Sequence, residues 1–429
     1  MHATQLFLCP ASWPLCAGGG LPATAWGVPW AYAGGSALLA LVCMCALWRL
    51  RVWCLSRGGR DGGVDLLEFC SFDFLHKPND EDNVANAALV FGRGGGAADA
   101  LEQNLQDFMC ADEALVCSPH SVSDAGVLGV LIESTGVVLY DMAASPTLRT
   151  QIQATHARTF LFSHDDVEDL GRVIAMVEGM SEVSGDAERF IVVEAVHEHT
   201  GTVSPLEAIY ELALARGYCL VVEESLTVGV LGQTGRGVKE HYALERGSGG
   251  LVRVGVWPLL GCEGLYALAN GVPAVSRRLQ SARTARRMHD VQCWKAMRAL
   301  AVLSAEPWRV AWVAQAAGRM HAELEGVCEK LCENTFPCGL RLLGDRACPM
   351  KLLVLQWGTG YFDGDADILW RVCDTMWKDE GVLLVVARYY DAHTRRTGAC
   401  IRVTVGIAHT MAQISRMGNA LFATLCSRK

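Results

Sequence analysis

The chain has 429 residues, a hydrophobic fraction of 51% and a formal net charge of −9. That length exceeds one average domain and allows a large buried core. The acidic balance, with basic residues dispersed rather than striped, argues against nucleic-acid binding through phosphate neutralisation. Eighteen cysteines would mark a disulfide scaffold in a small secreted chain, but here they are scattered among apolar residues and read as free thiols of a reducing compartment.

No Asp, Glu, Lys or Arg occurs from Met1 to Trp48. Within that stretch "VPWAYAGGSALLALVCMCALW", Val28 to Trp48, is the most continuous apolar part, and at about 1.5 Å per residue it spans about 31 Å, enough for a bilayer core. Trp30 and Trp48 sit near its ends, and Arg49, Arg51, Arg57 and Arg60 follow it. One retained transmembrane helix is expected, with the arginines and the body on the cytosolic side. A cleaved signal peptide would need a basic start and a shorter apolar region. Residues 1–60 are therefore read as the anchor and its basic flank.

After "RGGRDGG" the chain alternates strand-like and helix-like segments. "GVVLYD" (136–141), "RTFLFS" (158–163), "RFIVVEAV" (189–196) and "YCLVVE" (218–223) are β-branched runs of strand length. Between the last two, "PLEAIYELALARG" has Pro205 at a helix start and Gly217 at its end. Strand, helix, strand implies right-handed crossovers and a mostly parallel sheet, so 61–275 reads as a large α/β domain. From 276 to 429 the pattern becomes α+β: "RRLQSARTARRMHDVQCWKAMRALAVL" predicts a long amphipathic helix, then "KLLVLQW", "GVLLVVARYY" and "ACIRVTVGI" predict strands, and "TMAQISRMGNALFATLC" a final helix.

Ligands of open parallel sheets bind at the carboxyl ends of the strands. Three expected ends carry polar groups: Asp141, Glu194 with His197 and His199, and Glu223 with Glu224. The spacing of "HEHTG" supplies no third ligand, and Cys328, Cys332, Cys338 and Cys348 lack the paired-knuckle spacing of zinc sites, so no metal is expected. "GQTGRG", Gly232 to Gly237, could cradle a phosphate on backbone N–H groups, although it matches no phosphate-loop pattern.

"RFIVVEAVHEHTGTVSPL", followed by "EESLTVGVLGQTGRGVKEHY", resembles the serine palmitoyltransferases, and closely their subunit that lacks the catalytic lysine. These are α-oxoamine synthases, a branch of the fold-type-I pyridoxal-phosphate enzymes. "LEFCSFDFLH" (67–76), "DEALVCSPHSVSDAGVLGVLIESTGVVLYD" (112–141) and "IRVTVGIAHT" (401–410) extend the resemblance almost to the chain's end. It implies an aspartate aminotransferase-like fold with a mostly parallel central sheet, an α+β C-terminal domain and one N-terminal transmembrane helix.

The resemblance also locates the chemistry. A pyridoxal enzyme needs a lysine to hold the cofactor and a carboxylate against the pyridine nitrogen. The family's lysine falls near Leu260, in "LVRVGVWPLLGCEGLYALANG", which contains none. The chain's seven lysines are Lys77, Lys239, Lys295, Lys330, Lys351, Lys378 and Lys429. Glu223 stands in place of the nitrogen-binding Asp, Leu226 in place of a His, and Ala143 in place of the His of active relatives. Arg402 matches an arginine that relatives use for the substrate carboxylate, and a structural salt bridge is the favoured reading here. The segment "FGRGGGAADALEQNL", Phe91 to Leu105, is shorter than the family's interface-crossing loop.

The implied reading is a non-catalytic chain that binds no cofactor alone. It would pair as a heterodimer with a lysine-bearing catalytic subunit carrying pyridoxal phosphate, at the endoplasmic-reticulum membrane, with room for small regulatory membrane subunits and no nucleic acid. Two alternatives stay open. One is a self-sufficient α-oxoamine synthase using a displaced lysine such as Lys239. The other is a membrane scaffold outside sphingolipid synthesis.

Overall fold

The computed structural model describes residues 67–71, 74–75, 96–118, 126–244, 250–256, 264–283, 288–333, 339–356, 362–391 and 396–426. The apolar stretch Val28–Trp48 lies outside these residues. Among the described residues no helix is long and apolar enough to cross a membrane.

The strands follow in chain order as β1 (Leu67–Glu68), β2 (Glu113–Cys117), β3 (Val137–Asp141), β4 (Arg158–Phe162), β5 (Arg189–Glu194), β6 (Cys219–Glu223), β7 (Leu251–Val256) and β8 (Leu265–Asn270). The second half adds β9 (Leu340–Leu343), β10 (Met350–Leu355), β11 (Val382–Leu383), β12 (Val385–Asp391) and β13 (Arg396–Thr404). Seven of them form one sheet in the order β2-β8-β7-β6-β5-β3-β4. The β7, β6, β5, β3 and β4 neighbours pair in parallel, while β8 runs against both β7 and β2. The expected mostly parallel sheet is present. Its interior strands read as nearly continuous apolar runs because helices cover both faces.

Local sequence explains how those helices start and stop. Ser145 caps the Pro146–Ala154 helix, its hydroxyl accepting from the Leu148 N–H, with Pro146 in the first turn. Asp166 caps Val167–Glu178 by accepting from the Asp169 N–H. Gly217, at φ 68°, ends Leu206–Arg216 in the left-handed conformation that costs glycine least. Two apolar cores result, one on each face of the sheet. Leu115, Val138, Val192, Val221 and Val252 fill one, and Leu139, Ile191, Val193, Leu220 and Val222 fill the other. Successive residues of β3, β5 and β6 thus point to opposite faces, as the two-residue strand period requires.

A separate antiparallel sheet, β12-β13-β10-β9, carries the C-terminal half. The helices Trp308–Glu333, Phe362–Glu380 and Met411–Cys426 contribute to its core through Met320, Leu324, Leu369, Met376, Met417 and Leu421. The α+β expectation holds, with one correction. The long amphipathic pattern from Arg277 divides into two helices, Pro273–Ala282 and Asp290–Ala305, the second beginning after an extended His289. The periodicity alone did not reveal that break, since apolar residues recur at helical spacing on both sides of it. At the other end of the chain, Gly96 precedes the helix Ala97–Met109, and the part of the shortened segment before it lies outside the described residues.

Candidate functional site at the strand ends

Register brings three of the expected polar strand ends together. β5 lies between β3 and β6, and Glu194 pairs directly with Glu223 in the β5–β6 ladder. Asp141 ends β3 and pairs with Phe162, the last residue of β4. The chain then turns at His164 and Asp165, and Asp165 adopts a left-handed φ of 52°.

A chain of alternating acids and imidazoles follows. His164 Nδ1 lies 3.1 Å from Asp141 Oδ1, and its Nε2 lies 3.3 Å from Asp165 Oδ2. His197 Nε2 lies 3.5 Å from Asp165 Oδ1, and its Nδ1 lies 3.3 Å from Glu194 Oε2. The two imidazoles meet edge to face at 4.6 Å. Ser204 bridges the middle, with its Oγ 2.8 Å from His197 Nε2 and 2.9 Å from Asp165 Oδ1. Backbone amides complete the network: those of Ala143 and Asp165 donate to Asp141, and that of Ser145 to Glu194.

Burial by itself would lower the His197 pKa. Asp165 and Glu194 outweigh it and push the imidazole up to about 10. The reciprocal effect holds the Asp141, Asp165 and Glu194 carboxyls below their ordinary values despite their burial. Glu223 behaves in the opposite way. Burial and the neighbouring Glu194 charge push it up to about 8, against hydrogen bonds from Ser225. Its Oε1 accepts from both the Ser225 amide and the Ser225 hydroxyl, and that hydroxyl in turn accepts from the Val256 amide at 2.7 Å. The side chain therefore folds back onto its own strand end.

Next to it, Glu224 is fully buried 3.8 Å from Arg253, which is fully buried as well. Burial raises Glu224 to about 7 even with that partner. Arg253 also donates to the Met109 carbonyl at 2.8 Å.

The remaining expected positions separate. Ala143 is buried in the turn after β3. Leu226 is half-buried against the core formed by the Ala97–Met109 and Asp290–Ala305 helices. Leu260 lies outside the described residues. His199 contacts the Arg388 carbonyl at the small sheet and stays apart from His197. Arg402 donates to Glu198 at 2.6 Å, the structural salt bridge expected for it. Cys348 and Cys328 pack in different cores, the Cys332 side chain is not among those described, and Cys338 lies outside the described residues.

The loop Gly232–Gly237 holds an anion of the chain's own. The Thr234 and Arg236 amides and the Thr234 hydroxyl all donate to the Glu240 carboxylate, at 2.9 to 3.1 Å. Gly232, at φ +86°, has its missing Cβ directed at that carboxylate. The cradle geometry expected of the glycines is present, and Glu240 fills it.

His164 and Asp165 were the residues sequence reasoning passed over. The signal was "SHDD" at the carboxyl end of a strand, where an open sheet presents ligands.

No protein-family model matches the chain. Among curated proteins it is 26% identical over 373 residues to an 8-amino-7-oxononanoate synthase of Thioalkalivibrio sulfidiphilus, covering 84% of this chain and 88% of that one. It is 21% identical over 374 residues to long chain base biosynthesis protein 1c of Oryza sativa subsp. japonica, covering 84% and 76%. To serine palmitoyltransferase 1 of Dictyostelium discoideum it is 28% identical over 145 residues, covering 34% and 30%. Among solved structures, the serine palmitoyltransferase of Sphingomonas wittichii superposes with a TM-score of 0.68 at 17% identity, covering 90% of this chain and 98% of that one. An 8-amino-7-oxononanoate synthase from Francisella tularensis superposes with a TM-score of 0.62 at 17% identity, covering 85% and 98%. These superpositions show that the chain has the pyridoxal-phosphate transferase fold, and the sequence likeness runs to proteins named as 8-amino-7-oxononanoate synthases and serine palmitoyltransferase subunits.

Proposed function

We propose that this chain is the non-catalytic, membrane-anchoring subunit of a serine palmitoyltransferase. It pairs with a lysine-bearing catalytic subunit that condenses L-serine with palmitoyl-CoA to 3-ketosphinganine. The observation that carries the reading is the absence of lysine from Leu251 to Gly271, where the family attaches its cofactor. Three of the lysines elsewhere have partners of their own. The Lys239 ammonium donates to the Cys110 carbonyl, Lys351 to the Asp345 carbonyl, and Lys378 to Asp374.

The rest of the donor set does not fit pyridoxal phosphate. Glu223, one methylene longer than aspartate, turns onto Ser225 and carries a proton below about pH 8. Leu226 and Ala143 offer no hydrogen bond to a ring. Without a lysine in 251–271, the pocket lacks at that place the group that holds the cofactor covalently and moves a proton at the substrate carbon. The names of the rice and Dictyostelium relatives support the subunit assignment, and the uncharged segment 1–48 with its arginine flank supports an anchor, at the endoplasmic reticulum in this reading.

The test is purification of the tagged full chain from its native membrane. Recovery of a lysine-bearing homologue of similar size, with condensing activity in the pair and none in this chain alone, is the expected result. Cofactor-dependent condensation by the isolated chain, abolished by Lys239→Ala, would instead establish a self-sufficient synthase.

A further inference from the structure

The acid–imidazole cluster at the ends of β3, β4 and β5 has no part in the proposed subunit role. It gathers one side chain from the end of β3, two from the turn after β4 and one from the turn after β5. One potential ligand atom from each of Asp141, His164, Asp165 and His197 lies within 4.8 Å of the others, and it is the one such group among the described residues.

We propose that these four side chains bind a divalent first-row transition-metal ion, with zinc the expected occupant. Two imidazole nitrogens and two carboxylate oxygens form a donor set suited to zinc and unlike the all-oxygen shells of magnesium or calcium. One donor atom from each of the four residues lies within 4.8 Å of the rest, so side-chain adjustment would bring them to the roughly 3.3 Å edge of a tetrahedron with bonds of about 2.0 Å.

Two further observations support a cation here. The first is charge. Asp141 and Glu194 are buried and Asp165 largely so, and among the described residues no arginine or lysine pairs with any of the three. Even with both imidazoles protonated, three carboxylates leave a net charge of −1, and a buried charge without a counter-ion is costly. The second is orientation. Glu194 stands behind the buried His197 at 3.3 Å from Nδ1, which leaves Nε2 directed into the cluster. A carboxylate in that place is positioned like the outer acid of carboxylate–histidine–metal sites. His197 makes no well-aligned hydrogen bond through Nδ1, so the carboxylate acts on it as a charge at short range.

The bound ion would tie three strand ends together beside Glu223 and act structurally, since four protein ligands leave no open position. Ser204, now between His197 and Asp165, would move to the outer shell.

The full chain, purified in mild detergent without a metal-affinity step, should retain about one zinc per chain through dialysis. Chelation should lower its melting temperature by several degrees, and zinc, but not magnesium, should restore it. Cobalt substitution should give the intense visible absorption of a four-coordinate site, a readout that needs no variant. His164→Gln should lower zinc occupancy by about tenfold or more with the circular dichroism unchanged. Equal zinc content in wild type and His164→Gln would overturn the proposal by placing the ion elsewhere, for example on cysteines. A cobalt spectrum indistinguishable from the hydrated ion would overturn it as well.

Discussion

Glu194 and Glu223 are direct register partners at the ends of β5 and β6, yet they hold opposite protonation states near neutral pH. The difference lies in their neighbours. Glu194 has the His197 imidazolium at 3.3 Å. Glu223 has a serine and the negative charge of Glu194 itself.

A pH dependence follows for Glu223. Its folded pKa, about 8, exceeds the ordinary carboxylate value of 4.5, so between those limits the folded chain binds the extra proton. This group therefore makes stability fall as pH rises from about 4.5 to about 8, by at most about 1.4 kcal/mol per pH unit. Glu223→Gln should remove that slope. Denaturant melts at pH 5 and pH 8.5 check it: the variant should gain on the wild type at the higher pH, and an unchanged difference would refute the assignment.

His197 has the same sign, over a higher pH window. Its folded pKa, about 10, lies above the ordinary 6.5, so its stabilisation is complete below about pH 6.5 and is lost as pH climbs toward 10. With chelator present, His197→Ala should cost about 3 kcal/mol or more at pH 6, because Glu194 and Asp165 lose their buried partner. The gap between variant and wild type should narrow by pH 9.5.

The glycine loop offers a coupled pair. Gly232→Ala places a methyl group in a left-handed backbone conformation and against the Glu240 carboxylate, at a cost of about 2 kcal/mol. Glu240→Ala removes the acceptor of three loop donors, also for about 2 kcal/mol. The double variant should be less destabilised than the sum, by about 1 kcal/mol, in a double-mutant cycle. Strict additivity would mean that the two side chains do not meet.

Arg402 and Glu198 join β13 to the turn after β5 across 204 residues. A cycle of Arg402→Met and Glu198→Gln should return a coupling of about 1–2 kcal/mol, since both groups are part-buried and charge-assisted. A coupling near zero would reduce the pair to a surface contact.

Much of this was legible in the sequence. The β-branched runs located β3 to β6 to within two residues, because buried parallel strands carry apolar residues on both faces. Pro205 and Gly217 bounded their helix through backbone conformation alone. The break before Asp290 was not legible, since amphipathic periodicity continues on both sides of it. At the site, Asp141, Glu194 and Glu223 could be found from strand ends, but His164 and Asp165 could not be joined to His197. That contact depends on β3 lying between β4 and β5, a tertiary order that local patterning does not encode. "GQTGRG" was read as a place for an outside anion, whereas Glu240, three residues beyond it, already occupies the amides.

That occupancy makes the loop a receptor with its ligand tethered. Glu240 competes for those amides at the effective concentration of a side chain a few residues away, which is in the millimolar range or above for short connections. A free phosphate or carboxylate has to compete with Glu240 for the same amides. An outside anion could reach these amides only by contacts that also draw Glu240 out of them.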